Sequence, residues 1–289
     1  MIQGYVINNI FRNSFDGIDL SIGSMNTQII RNMFQDILDD AIELNVGVSN
    51  VEVGYNLIWR VGSGVSLDAS DSGQPGPVFI HHNVIDNSAL QRGGRPGNFR
   101  AADWPVWTTI DPFSSHETGN RAAWWRIYNN TIVTRQSGYR WNAAGPTAVA
   151  GNPQKYVYNN IFYILDGRIL FRDDLAADGS HYDGNVIYRS NSADLPLFYH
   201  FGDGGSYWSL DEFQLKAGVG WEQTGLEIDP GFRLGISPAF SRDLRTILEG
   251  YRPTEARVFT TGASYAGLNW PGTGGVSYRG ALPPVGLWP

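Results

Sequence analysis

The chain has 289 residues with 35 glycines, 15 prolines and no cysteine, and 28 acidic against 21 basic side chains leave a formal charge of −7. The lack of cysteine excludes disulfides and thiolate metal sites, and with Lys155 and Lys216 as the only lysines no sustained basic surface for nucleic acid is expected. No apolar run approaches the roughly 18 residues of a membrane span, so neither a nucleic acid nor a membrane is an expected partner.

The first predicted element is a bend. INNIF sets Asn9 between Val6, three residues before it, and Phe11, two after. The same frame returns at Asn32 (IRNMF), Asn56 (GYNLI), Asn83 (HHNVI), Asn130 (YNNTI), Asn160 (YNNIF) and Asn185 (DGNVI). The intervals are 23, 24, 27, 47, 30 and 25 residues, where 47 is either one coil with a long insertion or two coils. Apolar residues on both sides of a polar bend read as two short strands feeding one core. Asparagine suits such a bend because it tolerates left-handed backbone and bonds its own neighbours, and stacked asparagines can bridge as a ladder. A leucine-rich repeat would need an L-x-x-L-x-L run, which is absent, so the repeat predicts a parallel β-solenoid.

A third segment follows in the first coils: GIDLSIG (17–23), DAIELNV (40–46) and GVSLDAS (64–70). Alternation sends Ile18, Leu20, Ile42, Leu44, Val65 and Leu67 inward. Asp19, Ser21, Glu43, Asn45, Ser66 and Asp68 then form a polar outer face, one coil-spacing of about 4.8 Å apart.

The sequence opens directly on a coil, with no signal peptide. An uncovered first coil leaves unpaired backbone and an exposed apolar core. The expectation is a mature or truncated part of a longer protein, or a partner or oligomer that covers the first coil; a helix or loop folded over that coil would remove it. Towards the other end, Ser209 and Glu212 form a capping-box pattern, Leu210 and Phe213 share a helical face, and Gly218 ends the helix. The Gly- and Pro-rich remainder, with Tyr265, Trp270, Tyr278 and Trp288, reads as an irregular tail packed along the solenoid.

With the repeat and its three segments in view, the chain resembles the right-handed parallel β-helix proteins, the superfamily of pectate lyases and polygalacturonases. The resemblance covers about residues 5–190 as coils. It extends to Ser209–Pro238, where SLDEFQLKAG, EIDPGF and ISPAF look like the closing region of many secreted bacterial β-helix proteins. It implies an all-β right-handed parallel β-helix of about seven or eight coils. The coils would occupy residues 1–208 with a long insertion at 86–122, and a capping helix and tail residues 209–289. It also implies a polysaccharide as partner and an extracellular or periplasmic setting.

Acidic residues recur in adjacent coils. SFDGIDLS places Asp16 two residues before Ile18, ILDDAIEL places Asp40 two before Ile42 with Asp39 beside it, and Ser63 takes that column in the third coil. This is similar to the polygalacturonase-type pattern N-T-D-G-I-D, D-D-C-I, G-H-G, and implies catalytic carboxyls at Asp16, Asp39 and Asp40. The Asn-Thr pair is Ser14-Phe15 here, the histidine is Ser63 and no R-I-K follows, so groups expected to hold a uronate are missing. Carboxyls one coil apart start near 5 Å and can splay toward the roughly 6.5–9.5 Å of an inverting glycosidase, and crowding raises one pKa to supply a general acid. The same acids equally fit turns, where Asp accepts backbone N–H bonds. Asp19 and Glu43, with Asp16 or Asp40, also offer oxygens to a calcium ion, the one candidate cofactor.

The 86–122 insertion carries Arg92, Arg95, Arg100, Arg121, Trp104, Trp107, Asp111 and His116. Arginine forks onto carboxylates and tryptophan stacks on sugar rings, so Arg92, Arg95, Arg100, Trp104 and Trp107 join Asp19, Glu43 and Asp68 as candidate substrate contacts. Their alternative is to pin the loop against the barrel. His116, in a polar loop, is a candidate for proton transfer. His81 and His82 sit at the bend, where stacking or hydrogen bonding is expected over metal binding. These residues point to a carbohydrate-active protein, a hydrolase first and a uronate lyase or epimerase second. A non-catalytic glycan-binding or fibre-forming solenoid is the alternative from another class.

Overall fold

The computed structural model describes residues 3–20, 23–44, 48–67, 77–88, 111–114, 124–134, 156–165, 169–171, 181–191, 195–200, 205–218, 220–232, 244–260, 262–265, 268–273 and 278–282. These are predominantly β: long parallel sheets, stacked, with few helices, an arrangement compatible with a solenoid.

The chain alternates between sheets. β1 (Gly4–Ile7) bends into β2 (Ile10–Arg12), and β3 (Ile18–Leu20) follows. The next units give β4 (Met25–Ile30) with β5 (Met33–Leu44), and β6 (Ser49–Gly54) with β7 (Leu57–Leu67). Then come β8 (Pro77–His81), β9 (Val84–Asp86) and β10 (Asp111–Ser114), followed by β11 (Trp124–Tyr128) and β12 (Thr131–Thr134). The last full units are β13 (Tyr156–Tyr158), β14 (Ile161–Ile164) and β15 (Ile169–Phe171), and β16 (His181–Asp183), β17 (Val186–Arg189) and β18 (Phe198–His200). Strands before the bend form one sheet, β1-β4-β6-β8-β11-β13-β16, and those after it run β2-β5-β7-β9-β12-β14-β17. Because β8 pairs with β11 and β9 with β12, the long interval is one unit with an insertion. The insertion returns as β10 to extend the third segment of β7.

The asparagines do form a ladder. From Asn32 to Asn185, each Oδ1 accepts both the backbone N–H and the Nδ2 of the preceding unit's asparagine, from Asn9 onto Asn32 (2.9 and 3.2 Å) to Asn160 onto Asn185 (2.8 and 3.0 Å). The other Nδ2 hydrogen returns to the previous unit, as from Asn83 to Val53 O (2.9 Å). The left-handed residue is not the ladder asparagine but the one before it: Asn8, Arg31, Tyr55, His82, Asn129, Asn159 and Gly184 have positive φ. Left-handed backbone at a residue such as Tyr55 costs roughly 1–2 kcal/mol, which the buried amide bonds beside it offset.

Inside, Ile29, Val53, Ile80, Ile127 and Val157 face Phe34, Ile58, Ile85, Ile132 and Phe162 in one core. Beyond β17, β19 (Ser206–Tyr207) leads into α1 (Leu210–Lys216), whose Ser209 hydroxyl accepts the Glu212 N–H at 3.1 Å. Phe213 of α1 stacks on Phe198 at 4.8 Å, so a helix stands where the capping-box residues placed one. β20 (Leu226–Glu227) adds to β17, with Gly225 where an asparagine would stand. Glu222 fills that place, accepting the Asn185 N–H at 3.1 Å and its Nδ2 at 2.5 Å. A Cβ on Gly225 would lie 2.8 Å from the Glu222 carboxylate, so the glycine makes room for this closure. α2 (Leu244–Glu249), not foreseen in the sequence, lays Ile247 and Leu248 with Tyr251 on the outer face of the second sheet, over Met33, Leu57, Val84 and Val133.

The tail crosses the bends, as its aromatics suggested; Trp288 lies outside the described residues. Tyr128 donates to Pro271 O at 2.6 Å, Ala263 pairs with the Asn159 side chain, and Ala281 N–H bonds Thr131 at 2.9 Å. The guanidinium of buried Arg279 reaches the carbonyls of Gly184, Thr224, Arg257 and Thr260. Beneath the tail lies a buried histidine pair with Nδ1 atoms 2.9 Å apart. His81 Nε2 meets Glu52 at 3.1 Å, so with Nε2 protonated its Nδ1 accepts from His82. His82 stacks on Tyr55 at 4.9 Å and touches Tyr278 of the tail. The pair packs and hydrogen-bonds, as expected of the bend.

Burial pushes both histidines below the usual imidazole value, with Glu52 partly opposing this at His81 and the His81 ring adding to it at His82. Both rings are then neutral when folded and charged in an acidic unfolded chain. Their stabilising contribution is complete above the unfolded value of 6.5 and falls as pH drops through it. Lowering pH from about 7 to about 5 is expected to loosen the tail over His82 first. Mapped proteolysis at both pH values reads this directly; equal protection of residues 262–282 would refute it.

Candidate active site

Three carboxyls converge at the corner between the second and third segments. One oxygen each from Asp16, Asp39 and Asp40 lies within 4.8 Å of the others. Backbone pairing places them. Gly17 N–H bonds Asp40 O at 2.9 Å and Asp39 N–H bonds Phe15 O at 2.9 Å, which locks the segment before β3 beside β5. A side chain at Gly17 would strike the Ala41 carbonyl and the Phe34 ring, so only glycine permits this approach.

A bulge brings the second acid in. β5 advances from Ile37 to Asp40 while β7 advances only from Val61 to Ser63, leaving one extra residue on β5. Such an insertion re-aims side chains, and here consecutive acids reach one cluster where strict alternation would send them to opposite faces. Ala41 and Ile42 both enter the core, so alternation is broken on the other side of Asp40 as well. The register also extends the column: Asp111 of β10 pairs with Ser63, just as Ser63 pairs with Asp40. The signal was present in IDPF (110–113), an apolar-polar run like the other third segments, but its partner strand is not readable from sequence.

Electrostatics single out Asp40. It is 3% exposed, while Asp16 and Asp39 are half-buried. Desolvation above all, then the charge of Asp39, with smaller contributions from Glu43 and Asp16, pushes its carboxyl up to about 8, against a hydrogen bond from Ser63 that pulls it down. Asp16 accepts the Asp40 N–H at 3.3 Å, so one turn bond of the kind expected for structural acids is present, alongside the acid crowding.

Asp19 and Glu43 lie in register on the next outward column with Ser66. Asp19 is exposed, Glu43 half-buried and Ser66 fully buried. Asp68, Arg92, Arg95, Arg100, Trp104, Trp107, Arg121 and His116 lie outside the described residues. The chain matches no protein-family model, curated protein or solved structure against which it was compared.

Proposed function

We propose that the stacked sheets form a right-handed parallel β-helix and that the chain cleaves a polysaccharide, with Asp40 as general acid. The observation that carries this is a buried carboxyl pushed to about 8 within reach of two other carboxyls. At neutral pH Asp40 holds a proton that it can give to the glycosidic oxygen as the C–O bond breaks. Asp39 or Asp16, as a carboxylate, then attacks the anomeric carbon or takes the proton of an attacking water. One oxygen of each acid lies within 4.8 Å of the others, so either route keeps the reacting groups within one cluster.

The substrate would lie across the third-segment face beside Asp19 and Glu43. Support for this comes from the insertion, which rejoins the stack at β10 on the same column as the acids. Arg92, Arg95, Arg100, Trp104 and Trp107 remain its candidate contacts, and His116 a second proton carrier. A neutral or weakly acidic glycan in an extracellular or periplasmic setting suits the acidic chain. The reaction needs no cofactor; a hard cation such as calcium would instead neutralise the same three acids.

A panel of polysaccharides, followed by new reducing ends and by ultraviolet absorbance of unsaturated uronates, tests the reading. Reducing ends without absorbance are expected. Absorbance as well would make the chain a lyase. Silence from folded protein, with calcium bound at the acids, would replace catalysis by cation binding.

A further inference from the structure

The strand that follows the acids approaches them more closely than side chains ordinarily allow. At Gly62 of β7 a Cβ would stand 2.4 Å from the Leu38 carbonyl oxygen and 2.9 Å from that of Asp39. These two residues form the bulge, and their N–H groups are held from the other side by Ser14 O at 3.0 Å and Phe15 O at 2.9 Å. Glycines at 17 and 62 therefore let the preceding and following units close on the bulge that carries Asp39.

The residue after this glycine is Ser63, in register with Asp40 on one side and with Asp111 of β10 on the other. Ser63 is 5% exposed, and its hydroxyl hydrogen-bonds the Asp40 carboxyl. Asp16 and Asp39 are only half-buried, so the cluster meets solvent through those two acids rather than through Ser63. A neutral carboxyl has one oxygen that carries the proton and one that only accepts, so the place of the hydroxyl decides which is which.

We propose that Ser63 is the positioning residue of Asp40: its hydroxyl donates to one carboxyl oxygen and holds the transferable proton on the other. This rests on Asp40 acting as general acid in the cleavage of a polysaccharide. As the proton leaves for the glycosidic oxygen, the acceptor of Ser63 becomes a carboxylate, and a hydrogen bond to an ionised acceptor is roughly twice as strong as a neutral one. The gain appears only as the C–O bond breaks, so it belongs to kcat and not to KM. Asp39, Glu43 and Asp16, the charged groups facing Asp40, act in the opposite sense and hold the proton back.

The test compares Ser63→Ala with Ser63→Thr, which keeps the hydroxyl. It reads turnover and the infrared carbonyl stretch of Asp40, assigned as the band absent from Asp40→Asn. The band is recorded at about pH 6, below the value of about 8 at which Asp40 releases its proton. Ser63→Ala is expected to lose about tenfold in kcat at unchanged KM, with the alkaline limb of its pH profile displaced upward. Its carbonyl stretch should rise in frequency, having lost a donor, and Ser63→Thr should restore all three. A threonine variant as slow as the alanine variant, a change in KM in place of kcat, or an unshifted band would each overturn the proposal. The band needs no substrate. A shift in a chain that cuts no polysaccharide would overturn the glycosidase reading, whereas an unshifted band in an active chain would overturn only the place given to Ser63.

Discussion

Replacing Asp40 with asparagine is expected to remove about three orders of magnitude of turnover and, at the same time, to stabilise the fold. The carboxyl sits at about 8 when folded against an ordinary value of 3.8. Between those values the folded state holds a proton that the unfolded chain has released, so stability falls as pH rises from about 4 to about 8. At about 1.4 kcal/mol per pKa unit, the cost at neutral pH is on the order of a few kcal/mol. Asparagine keeps an oxygen to accept from Ser63 and has no charge to desolvate. Melting curves of both proteins should therefore coincide near pH 4 and diverge towards neutrality, with the variant melting higher. Equal turnover in the variant would remove Asp40 from catalysis, and equal melting points at neutral pH would remove its burial cost.

A raised pKa does not by itself mark a catalytic group, and Glu222 shows why. Burial pushes it up to about 8 as well. Yet its two oxygens are both engaged by Asn185, at the closed end of the ladder. It is a structural terminator. Asp40 differs in its company: carboxyls of Asp16 and Asp39 stand within 4.8 Å, and a proton held there has neighbours to act with. Sequence alone could not separate these acids, because both distinctions depend on what each carboxyl meets in space.

The legible parts were those encoded by short-range chemistry. The spacing of Asn32, Asn56 and Asn83 announced the ladder because an amide that bonds its copies must recur once per unit. Ile18, Ile42 and Val65 were placed in one column for the same reason, and the pairing bears this out. The bulge at Leu38–Asp39 was not legible, since it exists only as a mismatch between two strands. Nor was α2, whose LRTILE run is too short to show a helical period and is held by Met33 and Leu57 beneath it. The left-handed positions were displaced by one: the ladder uses the amide of the asparagine, and the residue before it takes the positive φ.

The ladder predicts the largest loss of stability. Asn83 is fully buried, and its Oδ1 accepts from Asn56 N and Nδ2 at 3.0 and 2.9 Å. Its Nδ2 donates to Val53 O and Asn130 Oδ1 at 2.9 and 3.0 Å. Alanine at this position strands two donors of Asn56 and the Val53 carbonyl in a fully buried site. An unsatisfied buried group costs about 1–3 kcal/mol, so Asn83→Ala should lose about 3–6 kcal/mol. Asn9→Ala, at the exposed end, leaves the Val6 carbonyl with its Asn32 bond and opens no buried acceptor beyond Asn32 Oδ1. It should lose less than about 1.5 kcal/mol. Urea titration of both variants separates packing from polar satisfaction, because each deletes the same atoms. Equal losses would mean that the rungs act only as spacers; a large loss at Asn83 alone would mean that burial gives the ladder its strength.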